Sequence, residues 1–279
     1  MVQQKIHATK MNTDPQELTL RKDMAVAIAK IAGETILELY APEITVTQKD
    51  NNTPLTDADL AANNFIIDQL DCIDPEIPVC TEESCDAFNE VRKSWCTYWL
   101  VDPLDGTREF INQNGEFSVN IALIHNGKPI LGVVHAPVLD ITYWATQGGG
   151  AWKQTGEDEA RKINVRTVTD EQITVAIGWA AQLSPELERF LDNLGEHQEL
   201  RMGGALKSCL VAEGRADVYP CFGPTGEWDT AAAQCIVEEA GGKMIDKQLN
   251  TLTYNTRDSL INPDFFAHGI SDRCWLDYL

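Results

Sequence analysis

From Pro15 to Tyr40 the apolar residues Leu18, Ala25, Ile28, Ile31, Ala32, Ile36 and Leu39 recur at helical spacing, and Ala41-Pro42 ends the pattern. A second helix is expected to open at Thr56-Asp57 and run through "DADLAANNFIIDQL" to Leu70, with Leu60, Ala61, Phe65, Ile66 and Leu70 on one side. "PEIPVCTEES" reads as a short strand ending on acids, and "YWLVD" as another strand. Asn126-Gly127 separates two β-rich runs in "SVNIALIHNGKPILGVVHAP", a strong hairpin signal. "ITYWATQGGGAWKQ" predicts a further hairpin that turns through Gly148-Gly149-Gly150.

The most polar, turn-rich stretch is "KQTGEDEARK", which places a division near it: an N-terminal α+β domain over 1–152 and a C-terminal α/β domain over 153–279. Beyond it the pattern predicts a strand at Ile173–Ile177, a helix from Pro185 to Leu194 and a helix across "GALKSCLVAEG". The last helix is "EWDTAAAQCIVEEAGG", with Gly241 as its terminating residue. Strands and helices mix throughout, which implies a mixed α and β class in layers.

The 279 residues suffice for one large domain or two closely packed ones. With 43 acids against 22 bases the net charge is −21, so the surface repels nucleic acid and anionic membrane. It repels an anionic substrate too, unless a bound cation reverses the sign locally. No segment has the ~18 apolar residues of a membrane span, and "MVQQKIHATKMNTD" reads as a frayed polar extension without a signal peptide's apolar stretch. The eight cysteines, with no CxxC spacing, are expected to be reduced thiols of a cytoplasmic protein.

Candidate chemistry centres on "VDPLDGTREF". A strand that ends in Asp102 and meets Pro103 must turn, which can bring the Asp102 and Asp105 carboxylates and the Leu104 carbonyl to one side. Gly106-Thr107 then starts a short helix, "TREFINQNG", closed by Gly115, whose free N–H groups suit a phosphate oxygen. The plainer role of Asp105 and Thr107 is to cap that helix. Thr81-Glu82-Glu83 puts two carboxylates at a strand end, Asp57 and Asp59 open the second helix, and Asp229 stands in the first turn of the last. Each has a structural explanation alone. Together they are acids fixed at the ends of strands and starts of helices, the donors that Mg²⁺ takes one or two at a time beside a substrate phosphate.

"WLVDPLDGTREFI" with "EWDTAAA" resembles the paired signature of the inositol monophosphatase family, and the likeness extends from about Lys22 to Pro263. "DGTREF", "FGPTGEWD" and "LKSCLVAEGRADVYP" are most similar to its 3'(2'),5'-bisphosphate nucleotidase branch. The resemblance implies a layered α-β-α-β-α sandwich and a soluble monomer or homodimer with two or three Mg²⁺ ions per site and lithium sensitivity. Some relatives sit on the inner face of the membrane. On that resemblance Glu82, Asp102 and the Leu104 carbonyl hold one ion, and Asp102 bridges to a second completed by Asp105 and Asp229. Gly106 and Thr107 meet the scissile phosphate. Asp59, paired with the Thr107 hydroxyl, and Glu82 assist the attacking water, with no phosphoenzyme. The implied substrate is adenosine 3',5'-bisphosphate or its sulfated form, from sulfate assimilation; inositol 1-phosphate is the alternative. Gly204-Ala205 stands where the branch commonly has two serines, and Thr81 where it usually has serine. Lys207 and Arg215 are candidates for a second phosphate or the adenosine side, and an ordinary helix-surface role is the plainer reading of both.

Three other chemistries fit less well. Cys209 to Arg215 has the C-x5-R spacing of cysteine phosphatases, but "LVAE" between them is a helix former rather than a glycine-rich loop. The haloacid-dehalogenase loop needs two aspartates two apart, whereas Asp102 and Asp105 are three apart with Pro103 between. His7, His125, His135, His197 and His268 show neither triad nor metal spacing. A ligand-binding module without turnover would bind substrate and release no phosphate.

Overall fold

The computed structural model describes residues 14–41, 46–48, 54–168, 172–179 and 183–279. Most of the N-terminal extension, up to residue 13, lies outside these. Helix α1 (Pro15–Glu38) starts at Asp14, whose side chain caps it by accepting the Gln16 N–H. After a two-strand ladder of β1 (Val46–Gln48) and β2 (Pro54–Thr56), helix α2 (Asp57–Ile73) begins with a capping box between Thr56 and Asp59. The packed face of α2 is Ala58, Ala62, Ile66 and Leu70, while Leu60 is exposed, contrary to the face expected from sequence. The alanines let the helix lie close to its support, and Leu60 is turned outward.

Seven strands form the first sheet in chain order: β3 (Val79–Thr81), β4 (Thr97–Asp105), β5 (Ser118–His125), β6 (Lys128–Ala136), β7 (Ile141–Thr146), β8 (Gly150–Thr155) and β9 (Arg161–Ile163). Only β3 and β4 run parallel. The β5–β6 hairpin turns at Asn126 and Gly127, both with positive φ, as the dipeptide predicts. Residue 152, the expected domain limit, falls inside β8, and β9 still pairs with β8, so the change of sheet comes after Ile163.

The second sheet has the order β11 (His197–Arg201), β10 (Ile173–Ile177), β12 (Val218–Cys221), β14 (Phe265–His268), β13 (Lys243–Asp246). Three further helices accompany it: α4 (Pro185–Leu194), α5 (Leu206–Ala212) and α6 (Glu227–Glu239), while α3 (Thr107–Ile111) follows β4. Alternation along the strands sorts the core into three layers. Trp99, Val101, Ile121 and Val133 pack under α1 and α2. Leu100, Ala122 and Val134 face the other way, onto α5 and α6, whose far side meets the second sheet. Val175, Val218 and Phe266 then cover Phe190 of α4 and Trp275. The result is the expected α-β-α-β-α sandwich. Gly132 of β6 allows the middle layer to close, because a Cβ there would lie 2.2 Å from the Ala232 carbonyl oxygen.

The expectation of eight reduced thiols needs correction: Cys80 and Cys85 form a disulfide across the turn that carries Glu82 and Glu83. Their C-x4-C spacing matches no redox or metal motif, and only the tight turn after β3 brings the sulfurs together. Cys72, Cys96, Cys209, Cys221, Cys235 and Cys274 are free. Among the described residues no helix is long and apolar enough to cross a membrane.

Candidate metal centre

The centre forms where β4 leaves regular pairing. Asp102 is opposite Asn120 and Asp105 is opposite Ser118, so Pro103 and Leu104 face Val119 alone. Proline has no N–H for the ladder, and the extra residue is a bulge that re-aims the side chains beside it. Asp102 Oδ1 accepts the Leu104 N–H at 3.0 Å, which fixes the turn. Gly106 follows with φ +91°, a left-handed conformation that favours glycine. Asp229 comes from the other sheet's side, in the first turn of α6, where its Oδ2 accepts the Gly226 N–H at 2.8 Å.

Carboxylate oxygens of Asp102, Asp105 and Asp229 lie within 4.8 Å of one another. Burial pushes Asp102 well above the usual carboxylate range, and the charges of Glu82, Asp105 and Asp229 add to the push. Asp229 is pushed up to about 8, first by burial, then by Asp105 and Glu82. Burial raises Asp105 as well, opposed by Lys207, the Ala205 N–H and the Asn120 amide. Three acids so placed resist full ionisation unless a cation joins them, and an all-oxygen set at this spacing suits a hard divalent ion. Glu82 stands outside the trio but exerts the largest like-charge effect on Asp102, and its N–H donates to the Val101 carbonyl at 3.0 Å.

Beside the trio, the Thr107 hydroxyl lies 3.5 Å from Asp59 Oδ1 and 3.5 Å from the Leu104 carbonyl oxygen. The other oxygen of Asp59 accepts the Thr56 N–H at 2.7 Å and the Thr56 hydroxyl at 2.6 Å, so one buried carboxylate both caps α2 and reaches the site.

The inositol monophosphatase family model matches residues 17–274. The chain belongs to the inositol monophosphatase family. It is 47% identical over 246 residues to the 3'(2'),5'-bisphosphate nucleotidase CysQ of Escherichia coli O157:H7, covering 87% of this chain and 97% of that protein. CysQ of Aggregatibacter actinomycetemcomitans is 40% identical over 250 residues, 90% of this chain and 93% of its own. The crystal structure of CysQ from Bacteroides thetaiotaomicron superposes with a TM-score of 0.78 at 36% identity, covering 92% of this chain and 99% of that one.

In this family member a cleft of about 330 Å³, including its open mouth, leads to Asp105 and Asp229 past Gly204, Lys207, Tyr219 and Phe265. The Lys207 ammonium donates to the Gly204 carbonyl at 2.7 Å and lies 5.1 Å from the centre of the Tyr219 ring. Gly204 has φ +47°, and a Cβ there would meet Asp105 Oδ2 at 2.5 Å. The missing side chain at Gly204 therefore lets the 203–205 backbone lie directly on the carboxylate, where the Ala205 N–H donates to Asp105. Arg215 is instead exposed and bonded to Glu213. Cys209 is buried in α5, where burial raises its thiol well above its ordinary range, the opposite of a nucleophile's need.

Sequence reasoning missed two supports. Asn120 donates to Asp105 Oδ2 at 3.2 Å and is itself oriented by the Ser118 hydroxyl at 2.9 Å. A polar residue inside the apolar run "SVNIALI" was the available signal. Glu227, fully buried, accepts the Asn255 N–H at 2.7 Å and an Arg257 N–H at 3.3 Å, which anchors the start of α6 beside Asp229.

Proposed function

We propose that the protein is a Mg²⁺-dependent 3'(2'),5'-bisphosphate nucleotidase that hydrolyses adenosine 3',5'-bisphosphate to AMP and phosphate, and acts on the sulfated form as well. The meeting of Asp102, Asp105 and Asp229 from two different layers carries the reading, and near full-length similarity to CysQ proteins directs it to this substrate. Asp102, Asp105, Asp229, Glu82 and the Leu104 carbonyl would hold two or three Mg²⁺ ions. Bound there, Mg²⁺ supplies Lewis-acid polarisation of the phosphoryl group and charge neutralisation at the leaving oxygen.

The chain's own residues do the rest. Thr107 orients the attacking water through its hydroxyl, and Asp59 Oδ1, on the far side of that hydroxyl, receives the proton relayed through it. Glu82 assists at the same water. The Gly106 and Thr107 backbone meets the phosphoryl oxygens, and Lys207 on the cleft wall takes the second phosphate. Water attacks phosphorus in line, the ester oxygen leaves, and no phosphoenzyme forms. The protein works in the cytoplasm, clearing a by-product of sulfate assimilation.

The test is phosphate release from adenosine 3',5'-bisphosphate, its sulfated form, inositol 1-phosphate and fructose 1,6-bisphosphate, with Mg²⁺ and with chelator. The expected result is Mg²⁺-dependent release with the highest kcat/KM on adenosine 3',5'-bisphosphate. Preference for inositol 1-phosphate would reassign the substrate, and release unaffected by chelator would remove the metal mechanism.

A further inference from the structure

β3 is a three-residue strand at the edge of the seven-stranded sheet, paired only with β4. The turn that follows carries Glu82 beside the Asp102 end of β4, where the Glu82 N–H bonds to Val101 and its charge acts on Asp102 and Asp229. The Glu82 N–H donates to the Val101 carbonyl at 3.0 Å, the Ser84 N–H to the Thr81 carbonyl at 2.9 Å, and the Thr81 N–H to Ser84 Oγ at 3.1 Å. The covalent tie is the Cys80–Cys85 disulfide, which closes the chain around Thr81, Glu82, Glu83 and Ser84. Disulfides in non-exported proteins are typically redox-sensing or catalytic rather than structural staples. A chain of this size, with a buried core in three layers, needs no staple.

We infer that Cys80 and Cys85 are a redox modification site coupled to the metal centre: the oxidised pair holds the Glu82 turn in its metal-binding position, and reduction by a dithiol releases it. The inference rests on the metal reading above. A thiolate of the reductant attacks one sulfur of the pair, forms a mixed disulfide and expels the other cysteine as a thiolate, which takes up a proton. The reductant's second thiol then closes its own disulfide and frees the remaining cysteine. Two electrons and two protons pass to the protein, and the reductant leaves oxidised.

Both cysteines are 1% exposed, so exchange proceeds from an opened turn. Opening also withdraws Glu82, so metal binding and reduction draw on opposite conformations of the turn. Linkage then requires reciprocity: if reduction weakens Mg²⁺ binding by some factor, saturating Mg²⁺ disfavours reduction by that factor.

The experiment uses the full chain, oxidised with excess oxidised glutathione or reduced with dithiothreitol. Thiols are counted after denaturation and Mg²⁺ affinity is measured by calorimetry. The expected result is six thiols in the oxidised form and eight in the reduced one, with Mg²⁺ bound about fivefold or more weakly after reduction. Saturating Mg²⁺ should shift the dithiothreitol concentration for half-reduction upward by a similar factor. Cys85→Ser, checked for native circular dichroism, should bind Mg²⁺ like the reduced protein and ignore reductant. Eight thiols in the oxidised sample, or equal Mg²⁺ affinity in both forms, would overturn the coupling alone. Absence of Mg²⁺ binding in both forms would overturn the metal reading and the coupling with it.

Discussion

At Asp102 stability and chemistry pull in opposite directions. The side chain is buried among three other acids, so in the absence of a cation it opposes folding, yet it is the residue best placed to share ions. Asp102→Asn should therefore raise the melting temperature in chelator, abolish the rise that Mg²⁺ gives the wild type, and lower turnover by about two orders of magnitude or more. Thermal melts with and without Mg²⁺, beside phosphate release, check all three; unchanged stabilisation by Mg²⁺ would remove Asp102 from the ligand set. Asp102 and Asp105 were legible in sequence because one strand, one proline and one glycine place them. Asp229 became meaningful only through the family resemblance, since its local signal is that of a helix cap, which it also is. The Ala205 N–H on Asp105 was not legible, because a backbone donor has no residue type to betray it.

At the scale of elements, local signals located most boundaries. Helix α4 has Ser184 as its cap, Pro185 at its first position and Gly195 at its end, and it spans the expected Pro185–Leu194. Helix α3 stops at Ile111, short of the expected Gly115, because Asn112 already caps it and Gln113 turns left-handed at φ 55°. β13 and β14 gave no usable pattern: each has four residues, and β14 is buried throughout, so neither shows a period. Gly132 packs closely against α6. Gly132→Ala forces a Cβ into the Ala232 backbone, and overpacking of this kind costs about 1–3 kcal/mol. The variant should melt several degrees lower and need more Mg²⁺ for half-maximal activity, because α6 carries Asp229; a wild-type Mg²⁺ requirement would show that α6 shifts without moving its first turn.

His135 of β6 provides a pH test of the opposite layer. It lies against Gly33 of α1 and shares a hydrogen bond with Thr142 at 2.9 Å. Burial first, then Lys30, lowers it to about 4, with Asp140 opposing. The unfolded chain takes up a proton near pH 6.5 and the native protein resists until about 4, so stability is lost as pH falls through that window. The loss from this residue reaches on the order of 3 kcal/mol at the acid end. His135→Gln should flatten the slope of unfolding free energy between those pH values; an unchanged slope would place the titration elsewhere.

For the whole molecule, charge is the governing quantity. A net charge of −21 repels a bisphosphate at a distance, while cations bound at the acidic trio would attract it only nearby. Raising KCl from ~10 to ~150 mM shortens the screening length from about 30 to about 8 Å. At saturating Mg²⁺ that should lower KM for adenosine 3',5'-bisphosphate, and a steep rise in KM would mean that local attraction dominates even at long range. The charge balance was visible in composition alone. The disulfide at the sheet's edge was not, since nothing in the sequence marks which of eight thiols share a corner. Asp102 is built into the first sheet, and Asp229 into the helix sandwiched between the sheets. An ion shared between them would rivet one slab of the sandwich to the next. Chelation should let β12 and β14 breathe, visible as faster amide exchange there while β5 and β6 stay protected.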